Sequence, residues 1–257
     1  MPTKAEFARA LLALDLDAPD RDALEVATRL AELLKLSLVG LFALDDTLRE
    51  LAGYPGAREL VPGSHAWRQI DLDRIVHEQM LAAQSAQRLF SQLAGAVSVP
   101  STFEIVSGPL SKALASMSRP SDILVVAEPR RASASMTRSF ALLVDAAIRS
   151  AASVLYVPRS ARRRRGPIIG ITGAPDDPCV ALASTIATAA HEELILIDKS
   201  QQIDSLLGMG TVSTLLENRN ESLIVITRGG LAGADDVGLA IAEQRHVPIL
   251  ILEPPAP

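Results

Sequence analysis

The chain has 257 residues, enough for one large domain or two small ones. Hydrophobic residues make up 48% of it and charged residues 21%, a globular composition that excludes a disordered chain. The net charge of -5 excludes a general attraction to nucleic acid or anionic membranes, and the single cysteine, Cys179, excludes an internal disulfide. No apolar segment reaches the length of about 18 residues that a membrane span needs. We therefore expect a soluble cytoplasmic protein without nucleic-acid or membrane partners.

Short apolar segments alternate with longer amphipathic ones through the first 158 residues, which is typical of βα units around a parallel sheet. The sequence predicts five strands, at residues 10–15, 38–44, 99–106, 123–127 and 154–157. It predicts four helices, at residues 22–34, 64–93, 109–118 and 139–150. The glycines and prolines of residues 52–63 predict a surface loop before the long second helix.

Residues 159–165 differ in charge from both flanking regions, since they hold five arginines and no acidic residue. Pro158 precedes them and Gly166 follows, and the mutual repulsion of the arginines also disfavours a packed element. We therefore interpret the segment as a solvated basic linker between two domains. The alternative, a polybasic patch for nucleic acid or lipid, has few phosphate contacts to offer.

The remaining residues, 166–257, repeat the same plan in shortened form. Four strands are predicted, at residues 168–172, 194–198, 223–227 and 248–252, with helices at 177–190, 212–218 and 234–244. Both parts close with a helix and a short apolar strand that ends at proline, SVLYVP and PILILEP. The predicted fold class is thus α/β, with two doubly wound, open parallel sheets in tandem. Residues 1–158 form the first domain, with five strands, and residues 166–257 form a shortened second one with about four.

The sequence contains no catalytic or metal-binding constellation. Its four histidines lie far apart, and neither an HExxH nor a GxSxG motif occurs. Gly208 and Gly210 do not directly follow a predicted strand, as a dinucleotide fingerprint must. Cys179, at the start of a predicted helix, is interpreted as an inert core residue, with a reactive thiol as the alternative. We expect no enzyme activity and no metal site.

Several segments of residues 8–158 resemble the domain of the universal stress protein family. A strand that ends in Asp15 (ALLALDLD), an Ala/Leu-rich helix and a second strand that ends in Asp (LVGLFALDD) match the opening of that domain. Gly108-Pro109 before a helix, then DILVVA and SVLYVP, match its remainder in order and spacing. Residues 167–253 are similar to the family in outline, as in members with two such domains in one chain. The resemblance implies a stress-response or regulatory protein of the adenine nucleotide alpha hydrolase-like fold.

Members of this family that bind ATP carry a glycine-rich loop that begins where the fourth strand ends. At the positions of its three glycines and its hydroxyl residue, this chain has Glu128, Arg131, Ala141 and Leu142. The usual loop is therefore missing, and with it the close approach of backbone N–H groups to phosphates that glycine permits. The residues that do match the family are Asp15, which there reaches the nucleotide sugar, and Arg130 and Ser133 of the loop.

Two functional hypotheses follow. The leading one is a universal stress protein-like protein that acts through its conformation and protein partners, with no cofactor firmly expected. The alternative is a sensor that binds ATP or AMP in the 128–139 loop, where cationic and hydroxyl side chains would hold a phosphate at a helix N-terminus. The glycine-bearing loop at residues 227–233 is a weaker candidate because it is short. The cofactor-binding residues of the sensor hypothesis are Asp15, Arg130, Arg131, Ser133 and Ser139.

The last predicted strand of each part is a short apolar sheet edge, and unpaired edges promote aggregation. In the family that the chain resembles, this strand pairs antiparallel with its counterpart in a second domain. The resemblance therefore implies that residues 153–158 pair with residues 248–253, so that one chain forms its own pseudo-dimer. We expect a monomer or a homodimer of such chains in solution, and the sequence leaves the identity of any protein partner open.

Overall fold

The structure, a computed structural model, describes residues 7–14, 21–44, 46, 50–51, 53–60, 63, 65–129, 134–159, 161, 165–174, 176–198, 216, 219–229 and 235–254. Eleven strands and six helices have their bounds within these ranges. In residues 1–158, the N-terminal half, they are β1 (Arg9–Leu14), α1 (Arg21–Leu34), β2 (Ser37–Leu44), β3 (Arg58–Leu60), β4 (Trp67–Gln69), α2 (Leu72–Ala96), β5 (Ser101–Ser107), α3 (Leu110–Met117), β6 (Asp122–Ala127), α4 (Ala134–Ile148) and β7 (Ser153–Val157). In residues 166–257, the C-terminal half, they are β8 (Ile168–Thr172), α5 (Pro178–Ala190), β9 (Leu194–Asp198), β10 (Leu223–Thr227), α6 (Asp235–Arg245) and β11 (Ile249–Leu252).

Nine of the strands form one sheet, in the order β5-β2-β1-β6-β7-β11-β10-β8-β9. Every neighbouring pair is parallel except β7 and β11, which are antiparallel. The N-terminal half supplies the first five strands of this order and the C-terminal half supplies the last four. The predicted α/β fold class is confirmed, and the strands of both halves together form one large, mostly parallel sheet.

Four interior strands of the sheet, β7, β11, β10 and β8, are buried along their whole length. Helices cover both faces of the sheet, so these strands are continuous apolar runs and do not alternate with polar residues. Helices α1, α2 and α5 share one core with strands of both halves. Helices α3, α4 and α6 cover the opposite face. The two halves are therefore joined through their core as well as through the sheet.

The antiparallel junction between β7 and β11, here called the seam, joins the two halves. Tyr156 lies opposite Ile249, and Val154 opposite Ile251. These strands belong to the two segments for which the family resemblance implies pairing. Near the seam, helix α1 packs against α5, which is its counterpart in the other half because each follows the first strand of its half.

The chain between β2 and α2 differs from the prediction, which placed a loop at residues 52–63 and the start of a helix at residue 64. Strands β3 and β4 form a separate two-stranded antiparallel ribbon, in which Leu60 lies opposite Trp67. Glu59 accepts hydrogen bonds from Arg68 on the other strand and from Arg74 on α2. These contacts depend on side chains that meet only after the chain has folded back, so the local apolar pattern did not reveal them.

Helix α2 begins at Leu72, later than the predicted residue 64. The Asp71 side chain accepts a hydrogen bond of 3.1 Å from the Arg74 amide and caps the helix there. Helix α4 begins at Ala134, earlier than the predicted residue 139. The predicted helix at 212–218 lies outside the described residues, apart from Leu216, which is buried.

The predicted linker is described at Arg159, Ala161 and Arg165. Ala161 is only 4% exposed and packs into the core that both halves share. Arg159 is ion-paired with Glu128. Within the predicted basic linker, Arg159 is exposed, whereas Ala161 is buried because the one apolar side chain among the arginines is small enough to enter the core.

Candidate functional site

The carboxyl ends of β1 and β6 lie side by side in the N-terminal half. The two strands are parallel neighbours, with Leu12 opposite Val125, and β2 lies on the other side of β1. The chain runs from β1 outward to β2 and β5 and then crosses back to β6 on the other side of β1, so the strand order reverses here. In an open α/β sheet, ligands bind beyond the strand ends at such a point. We call this place, at the carboxyl ends of β1 and β6, the first crevice.

Most of the predicted cofactor-binding residues lie outside the described residues. This holds for Asp15, which follows β1, and for Arg130, Arg131 and Ser133, which follow β6. Ser139 is described: it lies on α4 and is exposed. The described rim of the first crevice therefore consists of the two strand ends and of the residues directly after β6.

Glu128, the first residue after β6, is fixed to the segment that follows β7. Its amide donates a hydrogen bond of 2.9 Å to the carbonyl oxygen of Val157. Its carboxylate accepts a hydrogen bond of 3.0 Å from the Arg159 amide and lies 3.1 Å from Nη2 of the same arginine. The Glu128 side chain is 25% exposed. A partly buried carboxylate with a fixed partner thus stands at the rim of the first crevice, where it disfavours a bound anion.

The C-terminal half has a corresponding place, the second crevice, at the carboxyl ends of β8 and β10. These strands are parallel neighbours, and β9 lies on the other side of β8. Thr172 ends β8 and Thr227 ends β10. The Thr172 hydroxyl oxygen accepts a hydrogen bond of 3.1 Å from the Ala174 amide. Residues 230–233 of the glycine-bearing loop at 227–233 lie outside the described residues.

Asp177 places a carboxylate in the second crevice, as the N-cap of α5. Its Oδ1 accepts hydrogen bonds from the Thr227 hydroxyl and, at 3.0 Å, from the Cys179 amide. Its Oδ2 accepts one of 3.3 Å from the Gly173 amide. Burial raises the pKa of Asp177, but the hydrogen bonds from Thr227 and Cys179 outweigh it, so the pKa lies below its ordinary value. The carboxylate of Asp177 therefore occupies the N-terminus of α5, at which a phosphate would otherwise bind.

Cys179 lies beneath this cap and is fully buried. Its thiol donates a hydrogen bond of 3.4 Å to the carbonyl oxygen of Ile171. Burial, together with the negative charge of Asp177, raises the pKa of the thiol to about 12. A thiol with this pKa stays protonated at neutral pH and is a poor nucleophile. The structure favours the interpretation of Cys179 as an inert core residue.

Arg228, the first residue after β10, reaches across the seam. Its Nη1 donates a hydrogen bond of 2.8 Å to the carbonyl oxygen of Ser150, and its Nη2 donates one of 3.2 Å to that of Ala152. It is also ion-paired with Glu253, which follows β11. The Arg228 side chain is 16% exposed. Sequence reasoning missed this role. The visible signal was that the residues directly after the penultimate strands of the two halves, Glu128 and Arg228, carry opposite charges.

The described residues contain no cluster of side chains of the kind that binds metal ions. Among them, no group of three or more His, Cys, Asp or Glu side chains could hold a metal ion. No helix in the described part of the chain is long and apolar enough to cross a membrane.

Solved structures share the fold of this chain. A universal stress protein from Archaeoglobus fulgidus DSM 4304 is similar over 95% of this chain and 96% of its own, with a TM-score of 0.61 and 12% sequence identity. A functionally unknown protein from Pseudomonas aeruginosa PAO1 is similar over 99% of this chain and 95% of its own, with a TM-score of 0.58 and 12% identity. No family profile and no curated protein matches the sequence. These similarities show that the chain has the fold of a universal stress protein.

Proposed function

We propose that the chain is a stress-response or regulatory protein of the universal stress type, with two such units in tandem. It acts through its conformation and through protein partners, catalyses no reaction, and lacks the ATP site usual in that family. The fold shared with a universal stress protein supports the assignment to the universal stress type. The contribution of both halves to one sheet supports two such units in tandem.

The observation that carries the second part is a fixed carboxylate at the ligand-binding end of each half. At the first crevice, Glu128 is held by Arg159. At the second, Asp177 accepts the hydrogen bonds at the N-terminus of α5. A triphosphate needs N–H donors and cations at these places, so both carboxylates oppose it. The helix N-terminus of the second crevice is already capped without a ligand.

Thermal denaturation of the full chain with ATP, AMP and cyclic AMP, each with and without Mg²⁺, tests the absence of a nucleotide site. We expect no change in Tm with any nucleotide. A ligand at about 100 times its Kd would stabilise the folded chain by roughly 2.7 kcal/mol, a shift of several degrees for a chain of this size. A saturable shift would contradict the proposal and support the nucleotide sensor.

An Asp15→Ala variant locates any shift that is found. A shift that disappears in this variant assigns the nucleotide to the first crevice, as the sensor hypothesis predicts, whereas a shift that persists assigns it to another part of the chain. Either result overturns the proposal of a chain without a nucleotide site.

The role through partners is tested by covalent crosslinking of the full chain in its host cells, before and after a stress such as nutrient depletion. We expect a discrete adduct with another protein that changes in amount with the stress. Recovery of the uncrosslinked chain alone under every stress applied contradicts a function through protein partners.

A further inference from the structure

A cavity of about 340 Å³ lies between helices α1, α2 and α5, on the sheet near the seam. Ile168 and Leu223, which line it, are the first residues of β8 and β10, so the cavity lies away from the carboxyl ends at the second crevice. Both halves contribute to its lining. Its main apolar side chains are Leu30, Leu33, Leu93, Leu155, Ile186 and Leu223.

The two hydroxyl side chains that line the cavity, those of Thr28 and Ser222, are bound to the protein itself. The Thr28 hydroxyl donates a hydrogen bond of 2.6 Å to the carbonyl oxygen of Leu24, within α1. The Ser222 hydroxyl donates one of 2.8 Å to the carbonyl oxygen of Gly166. None of the described residues that line the cavity is aromatic. The interior therefore offers aliphatic contact and few hydrogen bonds.

The charged side chains of the lining all come from α1, and they are the carboxylates of Asp22, Glu25 and Glu32 and the guanidinium of Arg29. Glu25 accepts a hydrogen bond of 3.0 Å from Nε of Arg21. Nη2 of Arg29 lies 4.0 Å from Oε1 of Glu192. A carboxylate or an ammonium group on a ligand would compete with these ion pairs and would also lose water on binding. Three carboxylates and one guanidinium therefore act most strongly against an anionic ligand, and a neutral ligand avoids the loss of water that any charged group would suffer on binding.

We propose that this cavity binds a small uncharged aliphatic molecule, such as a medium-chain alcohol or hydrocarbon. Its volume lies at the lower end of the range of about 300 to 1,000 Å³ for ligand sites, and its many aliphatic side chains favour contact with an alkyl chain. Because α1 belongs to one half and α5 to the other, the bound molecule contacts both halves and stabilises their packing. This inference is independent of the function proposed above.

Octan-1-ol, octanoate and octylammonium, which share one alkyl chain, test the proposal on the full protein. Isothermal titration below the aggregation concentration of each compound measures affinity and stoichiometry. We expect octan-1-ol to bind saturably at one molecule per chain, with octanoate at least tenfold weaker and octylammonium no stronger. No saturable binding of octan-1-ol, or stronger binding of either charged compound, overturns the assignment.

Two adjacent alanines of α5 provide a matched pair of variants. Ala190 lines the cavity, whereas Ala189 is exposed and is not part of the lining. Ala190→Trp should fill the space and reduce the affinity for octan-1-ol at least tenfold, while Ala189→Trp should leave it unchanged. Ala96→Trp, at the C-terminal end of α2, fills the cavity from the other side and serves if Ala190→Trp does not fold. Equal binding by lining and control variants contradicts a site in this cavity.

Discussion

The residue that follows the penultimate strand of each half has the same place in the sheet but the opposite charge. Glu128 follows β6, and Arg228 follows β10. Both donate the backbone amide to the last residue of the neighbouring strand, at 2.9 Å from Glu128 to Val157 and at 2.7 Å from Arg228 to Leu252. The two backbones are therefore equivalent, and the contacts made by the two side chains can be compared directly.

The difference lies in what each side chain reaches. Glu128 pairs with Arg159, just after the end of the neighbouring strand β7, whereas Arg228 binds two carbonyl oxygens across the seam as well as Glu253. A guanidinium carries five donors in a planar fork on a long stem, and a carboxylate has only acceptors on a short one. Equivalent backbone positions thus have different functions: one fixes the segment after β7, the other clamps the two halves together.

The largest effect is expected where the clamp is removed. Arg228→Met leaves two carbonyl oxygens and Glu253 without the guanidinium, so the free energy of unfolding should fall by roughly 2 to 3 kcal/mol. Urea denaturation followed by circular dichroism measures the change. Arg149→Met is the matched control, because Arg149 pairs with Asp145 at the surface, where loss of an ion pair costs little. Equal destabilisation by both variants would refute a clamp at Arg228.

A smaller effect is expected at the cap of the second crevice. Asp177→Ala removes the acceptor for the Cys179 amide and should cost about 1 to 2 kcal/mol at neutral pH, whereas Asp177→Asn keeps an acceptor and should cost less. The pKa of Asp177 is lower in the folded chain. The charge of Asp177 therefore contributes fully to the free energy of unfolding when the pH is above about 3.9, the pKa of an aspartate in the unfolded chain. This contribution is lost as the pH falls through the lower pKa of Asp177 in the folded chain.

Denaturation curves of the natural chain and Asp177→Asn between pH 7 and pH 3 check this sign. The stability advantage of the natural chain should shrink below about pH 4. An advantage that stays constant over the whole range would show that the charge of Asp177 contributes nothing to stability.

At the seam itself, Tyr156→Phe should lower the free energy of unfolding by about 1 kcal/mol. The Tyr156 hydroxyl donates a hydrogen bond of 2.9 Å to Glu243 on α6, and the exposed glutamate regains water when this bond is lost. A double-mutant cycle with Glu243→Gln measures the coupling. Burial and the neighbouring Glu243 raise the pKa of Tyr156, so the phenol stays protonated as a donor. Strictly additive effects of the two variants would contradict the bond.

The smallest effect is expected at Glu128. Glu128→Gln should cost less than about 1 kcal/mol, because Arg159 is 40% exposed and water and salt screen the pair. The difference from the natural chain should decline further between 0.05 and 0.5 M NaCl. A loss as large as that of Arg228→Met would show that the two equivalent positions do not differ in function as the contacts indicate.

Much of the secondary structure was predictable because the signals for it are local. The run IIGIT was predicted as a strand and forms β8 with the same bounds, Ile168–Thr172. Prediction failed where an element depends on a distant partner. The β3–β4 ribbon is held by Glu59 through contacts to Arg68 and Arg74, and three-residue strands are too short to show a period.

The candidate sites were predictable only in part. Parallel neighbours β1 and β6 bring together the two strand ends after which the sensor hypothesis places Asp15 and the 128–139 loop. The absence of glycine at residue 128 was also visible in the sequence, but its ion pair with Arg159 was not. Asp177 was recognised as the start of a helix, whereas its hydrogen bond from Thr227 joins residues that are 50 positions apart.

The sequence by itself determined the type and approximate bounds of most described elements and the α/β class, because apolar periodicity and helix-breaking residues act over a few neighbouring positions. Only the tertiary structure decided which groups meet at the seam, at the second crevice and around the cavity. Arg228 and Ser150 are 78 residues apart, and Tyr156 and Glu243 are 87 apart. Such contacts arise from packing and strand order, and no local pattern of residues contains them.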